Sequence, residues 1–177
     1  MKTITSAGGP YIIIDQDRVP SWGAYERKSF SPLSSSFPND YEAAGDLTDG
    51  VSHPPCNIAK FIGNQAEALL ITMPFEISIV DRSLSCTYIA QVHFADPEWS
   101  FSEVSLASFS HAKYNENIVF TSKGATYKLF DSAYLPDEID EDCLGFELVA
   151  GDYAFSAAIY QPDERTGLYL YKIALME

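Results

Sequence analysis

Hydrophobic residues in this chain occur in short runs separated by turn-forming residues, and most of these runs have the length of β-strands. The first run, residues 11–14, follows a Gly-Gly-Pro break and ends at Asp15, which predicts a short buried strand entered through a tight turn. Later runs predict strands over residues 68–72, 75–80, 88–94, 118–121, 126–130, 153–159 and 168–173. Closely spaced strands predict a mainly antiparallel β fold, either a sandwich or one strongly curved sheet.

Two of these runs support more detailed predictions. In residues 88–94 the even positions are apolar and the intervening positions include Gln91 and His93. This period of two indicates a strand with one buried face, and it places His93 at the surface or rim. The segment 122–125 is short enough to join its two flanking runs as a hairpin, because Gly124 can supply a positive φ.

Helical patterns are few. Residues 98–109 predict one helix, with Asp96 as its cap and Pro97 at its first position. A single helical turn is predicted over residues 40–44, within a proline-rich stretch that otherwise predicts loops. We therefore expect a mainly β fold with one or two short helices. Residues 1–177 are interpreted as one domain; the alternative is two domains, divided in the proline-rich stretch or near residues 81–85.

Composition supports a folded chain with an acidic surface. Apolar residues make up 46% and aromatic residues 14%, whereas disordered chains are poor in both. The chain carries 25 acidic and 11 basic side chains, a formal net charge of -14. Such a field repels nucleic-acid phosphates and anionic lipids, so neither nucleic acid nor a membrane surface is an expected partner. It attracts basic proteins, although solubility alone also explains an acidic surface.

The cysteines and the first residues indicate a cytoplasmic protein. Cys56, Cys86 and Cys143 lie far apart without the spacing of a redox or zinc motif, which is typical of reduced, buried thiols. Gly8, Gly9 and Pro10 interrupt the first residues before an apolar signal segment can form.

No motif for catalysis, metal or cofactor binding is present. His53, His93 and His111 are separated by tens of residues, and no pair has the spacing of metal ligands. The G-x-S-x-G nucleophile elbow is also absent. We therefore expect no enzyme, no metal and no cofactor. A hydrolase whose triad assembles from distant residues stays open; it requires a Ser or Cys next to a histidine.

The most uneven feature of the sequence is its charge. From Asp131 to Glu164 the chain contains ten acidic residues and no Lys or Arg. The segment 136–142 is interpreted as a solvated loop, because burying its carboxylates is too costly. Its role stays open between simple solvation, a cation site and a docking surface, although the calcium-loop motif is absent. Aromatic residues that could anchor a partner are Trp22, Tyr25, Trp99, Tyr134 and Tyr160.

Several segments together resemble a known family. They are Thr5-Ser6-Ala7-Gly8-Gly9-Pro10 with the strand after it, Trp22-Gly23, residues 39–44, 67–71 and 129–133, Gly151-Asp152-Tyr153, Pro162-Asp163 and residues 168–173. In this order they resemble the immunity protein 21 family of bacterial polymorphic toxin systems. The resemblance departs at Gly45, where the family has a cysteine, and over residues 81–117.

The resemblance implies a cytoplasmic protein that binds a cognate toxin domain and neutralises it by stoichiometric occlusion, without catalysis. Charge favours a basic toxin such as a nuclease. Residues matching the family pattern are expected to be structural: Gly8, Gly9, Pro10, Trp22, Gly23, Asp40, Tyr41, Asp131, Gly151 and Tyr153. Toxin contact is expected at exposed acidic positions: Asp137, Glu138, Asp140, Glu141, Asp142, Asp163 and Glu164. The alternative function is a β domain that binds a small molecule or carbohydrate without catalysis.

Overall fold

The structure is a computed structural model that describes residues 1–22, 41–42, 44–45, 58–62, 67–72, 75–139 and 141–177. Within these residues, strands form one antiparallel sheet that curls into a half-barrel. The strands are β1 (Thr3–Ile4), β2 (Tyr11–Asp15), β3 (Ile58–Ile62), β4 (Glu67–Ile71), β5 (Ile77–Arg82), β6 (Cys86–Phe94), β7 (Asn115–Asp131), β8 (Leu144–Tyr160) and β9 (Gly167–Leu175). Their order in the sheet is β1-β5-β6-β9-β8-β7-β2-β4-β3.

The mainly β fold class is confirmed, and of the two predicted architectures the strongly curved sheet is correct. Each predicted run lies in or overlaps a strand, because runs of β-branched and aromatic residues fit a pleated, buried surface. Strand β1 was not predicted, and neither were the bounds of β3. β1 has two residues, which is too short for any periodicity to show.

The inner face of the half-barrel is filled by side chains from all nine strands, so its centre is a packed core. Aromatic rings occupy much of it: Phe120 stacks on Tyr153 with ring centroids 5.6 Å apart, and Tyr127 stacks on Phe146 at 5.8 Å. Burial of each large apolar side chain contributes roughly 1.5–3 kcal/mol, which makes this core the main source of stability.

Two smaller clusters cover parts of the outer face. One lies over β2, β4 and β7, where Trp22 packs edge-on against Phe130 at 5.9 Å. The other lies over β6 and β9, where Phe109 of the six-residue helix α1 (Leu106–His111) packs on Tyr88 at 4.9 Å. The curled sheet is therefore buried on both faces at these two places.

The predicted hairpin at residues 122–125 is wrong, because β7 continues through this segment as one strand. β7 and β8 pair in one register from Asn117–Ser156 to Leu129–Leu144. Gly124 has φ +82° and Gly151, on the opposite strand, has φ +155°, and at this level the inward-facing positions change phase in both strands. The glycines thus produce a paired kink in the sheet. Gly151, expected to be structural, therefore lies inside β8 at this kink.

The predicted helix over residues 98–109 is also wrong. Asp96 and Trp99 close a turn, a 3₁₀ helix occupies Phe101–Glu103, and α1 follows only at Leu106–His111. Val104 and Ser105 between them are extended. Ser100 and Ser105 each form a capping box, so each starts its own short helix in place of a continuous one.

The predicted turn over residues 40–44 falls partly on described residues. Residues 41–42 and 44–45 are helical, while residues 40 and 43 and nearly all of the proline-rich stretch lie outside the described part. Pro20 lies in a 3₁₀ helix, Gln16–Ser21. At its start, the Asp15 carboxylate accepts a hydrogen bond from the Asp17 amide.

Strand β6 contradicts the prediction that its polar positions are solvated. Gln91 is fully buried and accepts a 2.7 Å hydrogen bond from the Tyr171 hydroxyl, while its amide donates to the Phe75 carbonyl at 3.3 Å. One face of β6 packs into the core of the half-barrel, and the other packs against the cluster that contains α1. Because neither face is solvated, the alternation of apolar and polar residues could not identify an exposed face of this strand. His93, at the end of the strand, is exposed as predicted.

Cys143 is a buried thiol that accepts a hydrogen bond from the Lys128 ammonium at 3.5 Å, and Cys86 is a half-buried thiol. Cys56 lies outside the described residues. Among the helices that the structure describes, none has the length and apolar composition required to cross a membrane.

Candidate protein-binding site

The acidic segment predicted as a loop connects the two longest strands. Residues 132–143 join β7 to β8, and we call this connection the acidic loop. It is anchored from inside by Ile139, which is fully buried, and by Cys143 at its end, both packed in the cluster under Trp22. The loop is therefore held at the end of a long, stiff hairpin.

The base of the acidic loop is fixed by a buried carboxylate. Asp131, the last residue of β7, has no solvent-exposed surface. One carboxylate oxygen lies 2.5 Å from both the Ser6 hydroxyl and the Ala7 amide, and the other accepts from the Ala133 amide at 2.8 Å. Several donors thus compensate the desolvation of this charge and tie the first residues to the start of the loop.

The Gly-Gly-Pro segment packs against this carboxylate. A Cβ atom at Gly9 would lie 2.5 Å from the Ser132 hydroxyl and 2.7 Å from an Asp131 oxygen, so only glycine fits without a shift. The Ser132 amide donates to the Pro10 carbonyl at 2.9 Å, and the Trp22 indole donates to the Ser132 carbonyl at 2.9 Å. These distant segments therefore form one structural unit beneath the acidic loop.

The other residues of the family pattern lie in various places. Tyr41 contacts the same unit, since one of its ring carbons would lie 3.1 Å from a Cβ at Gly9. Gly8 has φ +124° in the turn before β2. Gly151 and the fully buried Tyr153 lie at the kink of β8, away from the acidic loop. Gly23 and Asp40 lie outside the described residues.

Hydrogen bonds within and across the acidic loop hold its conformation. Glu138 accepts from the Leu135 amide at 2.9 Å, and its own amide donates to the Leu135 carbonyl at 2.9 Å. From the other end of the chain, the Lys2 ammonium donates to the Glu141 carbonyl at 2.8 Å. An ordered loop loses less conformational entropy when a partner binds to it.

The exposed side of the loop is strongly negative. Its described carboxylates at Asp137, Glu138, Glu141 and Asp142 are all exposed. Half-buried Tyr134 lies among them: burial raises the pKa of its hydroxyl, and Asp142, Asp131 and Glu138 raise it further. A tyrosine among carboxylates offers a partner both an aromatic surface and a hydrogen-bonding group.

The structure does not bring the two predicted acidic groups together. Asp163 and Glu164 lie in the β8–β9 connection, at the opposite end of the 17-residue strand β8 from the acidic loop. A straight strand of that length would span roughly 55 Å, and the kinked β8 still separates the two groups by most of the sheet. Asp163 accepts from the Arg165 amide at 2.8 Å, and Arg165 pairs with Asp96 at 3.4 Å. One partner of ordinary size would contact only one of these groups. Asp140 lies outside the described residues.

The histidines were the other candidates for chemistry. His93 contacts the rings of Phe75, Phe94 and Tyr169, and its Nδ1 lies 3.4 Å from the Tyr169 hydroxyl. In the part of the chain that the structure describes, neither His93 nor His111 is hydrogen-bonded to a Ser or Cys. Those residues also contain no group of three potential metal ligands. His53 lies outside them.

Two supports of the acidic loop were missed in the sequence. Ile139 is a single apolar residue between acidic neighbours, and its isolation was a usable sign of an anchor. Lys2 contacts a residue 139 positions away, and no local pattern indicates such a contact.

Comparisons with models of known protein families, with curated proteins and with solved structures found no match. The resemblance to the immunity protein 21 family therefore rests on the residues quoted above and stays a prediction.

Proposed function

We propose that this chain is an immunity protein that binds a cognate bacterial toxin domain in the cytoplasm and neutralises it by stoichiometric occlusion. The observation that carries the proposal is an acidic loop with exposed carboxylates on the outside and buried anchors beneath. The family resemblance supplies the nature of the partner.

The fixed backbone conformation of the acidic loop distinguishes it from a segment that only makes the protein soluble. Solubility requires only exposed charge, which a disordered tail provides equally well. Here Ile139 is buried, and Lys2 and Glu138 hold the backbone, which fixes the carboxylates relative to each other. A fixed pattern of charge favours recognition of one complementary surface.

The charge of the chain favours a basic toxin. A nuclease toxin is a suitable candidate, because a protein that binds nucleic acid carries clustered Lys and Arg. Carboxylates on the acidic loop would then occupy the surface that the toxin uses for phosphates. Complementary charge of this kind can raise association towards about 10⁸–10⁹ M⁻¹s⁻¹ at low salt.

The test uses the product of the reading frame adjacent to that of this chain, which the proposal expects to end in a toxin domain. Expression of the toxin domain alone is expected to stop bacterial growth, and co-expression with this chain is expected to restore it. The purified chain and an inactivated toxin domain are expected to elute together as a one-to-one complex in size-exclusion chromatography. Separate elution at micromolar concentrations, or growth arrest despite co-expression, would refute the proposal.

A further inference from the structure

A groove lies between the β5–β6 turn and β8, beside the kink of β7 and β8. Leu84, in the turn between β5 and β6, and Val149 of β8 form its walls, while Gly124, Ala125 and Ala150 are among the small residues that line it. Its volume is about 490 Å³. Leu84 is 55% exposed and Val149 is 39% exposed, so both present apolar surface to solvent at this groove. We call this the Leu84–Val149 groove.

The backbone keeps the walls of this groove in place. The Val149 amide donates to the Leu84 carbonyl at 3.1 Å, and the Tyr153 hydroxyl lies 3.0 Å from the Leu84 carbonyl and 3.2 Å from the Val149 carbonyl. These contacts use main-chain atoms of Leu84 and Val149, and both side chains are exposed. Exposed apolar side chains on a rigid support are typical of protein-binding surfaces.

The groove continues towards the acidic loop. A second groove of about 560 Å³ adjoins it and shares Leu84, Thr126 and Glu147. Arg82 lines this second groove, and its guanidinium donates a hydrogen bond to the Gly145 carbonyl at the edge of β8. From Asp142 to Val149 the chain extends over about 23 Å of strand. A standard interface covers about 800 Å² of each partner, a patch about 30 Å across.

We infer that the Leu84–Val149 groove is the second half of the proposed toxin-binding site, where an apolar side chain of the basic partner inserts. This inference rests on the proposed function. The acidic loop attracts the partner, whereas the groove retains it, because desolvated apolar anchors dominate the strength of most interfaces. The exposed Glu147 at the edge of the groove extends the negative rim towards the acidic loop.

Charge argues against a second copy of this chain as the occupant. Two copies would each bring a net charge of -14 to the contact. In a two-fold dimer through this groove, Glu147 of each copy would approach the same rim of the other, and like charges in a contact are unfavourable. A basic partner has complementary charge at the same rim.

The test compares dissociation rates of the inactivated toxin domain from matched variants. Leu84→Ser removes a large apolar side chain from the groove, and Ala150→Trp places a bulky ring at an exposed position of its lining. Both are expected to raise the dissociation rate about tenfold and to change the association rate less than twofold. Leu106→Ser is the control, because Leu106 is 47% exposed and lies on α1, over the β6 and β9 side of the sheet.

Four outcomes separate the inference from the function on which it rests. A faster release from both groove variants, with Leu106→Ser unchanged, supports the groove. Wild-type binding with unchanged dissociation from both variants overturns the groove and leaves the proposed function intact. Absence of binding by the wild-type chain overturns both. A concentration-dependent dimer in sedimentation that Leu84→Ser abolishes would assign the groove to a second copy and overturn the inference.

Discussion

Replacement of Asp131 by alanine is expected to lower the free energy of unfolding by about 3 kcal/mol. The carboxylate is fully buried and accepts hydrogen bonds from the Ala7 and Ala133 amides and from the Ser6 hydroxyl. Alanine would remove the buried acceptor that these donors share and leave a polar space at a fully buried position. Because loss of a charged hydrogen-bond acceptor costs about 1–3 kcal/mol, the loss should be large for a single substitution.

Urea denaturation followed by far-ultraviolet circular dichroism measures this change. Asp131→Asn keeps one carbonyl oxygen as an acceptor, and its loss is expected to be about half as large. Asp152→Ala is the matched control, because its exposed carboxylate accepts one 2.7 Å hydrogen bond from the Thr121 hydroxyl. The control should stay within about 0.5 kcal/mol of wild type. Equal losses at Asp131 and Asp152 would contradict the role assigned to the buried carboxylate.

Reversal of Glu141 and Asp142 to lysine is expected to slow association with the toxin domain more than tenfold at low ionic strength. Both side chains are exposed, so the fold should persist. The substitutions replace attraction by repulsion at the surface that the basic partner approaches first. The dependence of the association rate on salt should also flatten, since that dependence comes from the attraction that has been removed. Stopped-flow fluorescence at low and high salt gives both quantities.

Reversal of Asp163 and Glu164 to lysine provides the control for net charge. It changes the total charge by the same amount, at the opposite end of β8. Its effect on association should be clearly smaller, because the screening length at physiological salt is about 8 Å. Equal slowing by the two pairs would mean that overall charge, not the acidic loop, governs the encounter.

Elements could be predicted where neighbouring residues alone determine them, and could not where contacts between distant residues do. Residues 11–14 and 168–173 are dense in β-branched and aromatic residues, and both are strands, in β2 and β9. The hairpin predicted at Gly124 was wrong, because a glycine after Ser-Lys is also typical of a hairpin turn. The actual role of Gly124 depends on Gly151, which pairs with Ser122 from the neighbouring strand β8 and was not identifiable as a neighbour from sequence.

The same distinction applies to the candidate site. Clustered carboxylates in residues 136–142 predicted an exposed loop, because such charges cannot be buried without partners. The contacts that position it join residues far apart in sequence: Asp131 with Ala7, and Lys2 with Glu141. The Leu84–Val149 groove likewise arises from a turn and a strand that meet only in the folded sheet. Single-sequence patterns therefore indicated the charge of the surface but not its support or its apolar part.

Stability and recognition are linked through Asp131. This carboxylate holds the first residues against the start of the acidic loop, and Lys2 reaches the far end of the same loop. Loss of the carboxylate should therefore loosen the surface that approaches the partner as well as the fold.

The most direct test of the central claim is a titration of toxin activity with this chain. A stoichiometric inhibitor predicts that activity falls linearly and reaches its minimum at one equivalent, when the toxin concentration is far above the dissociation constant. Complete loss of activity at a small fraction of an equivalent would indicate that the chain inactivates the toxin catalytically. Undiminished activity at several equivalents would show that this chain does not inhibit it, and either result would contradict the account.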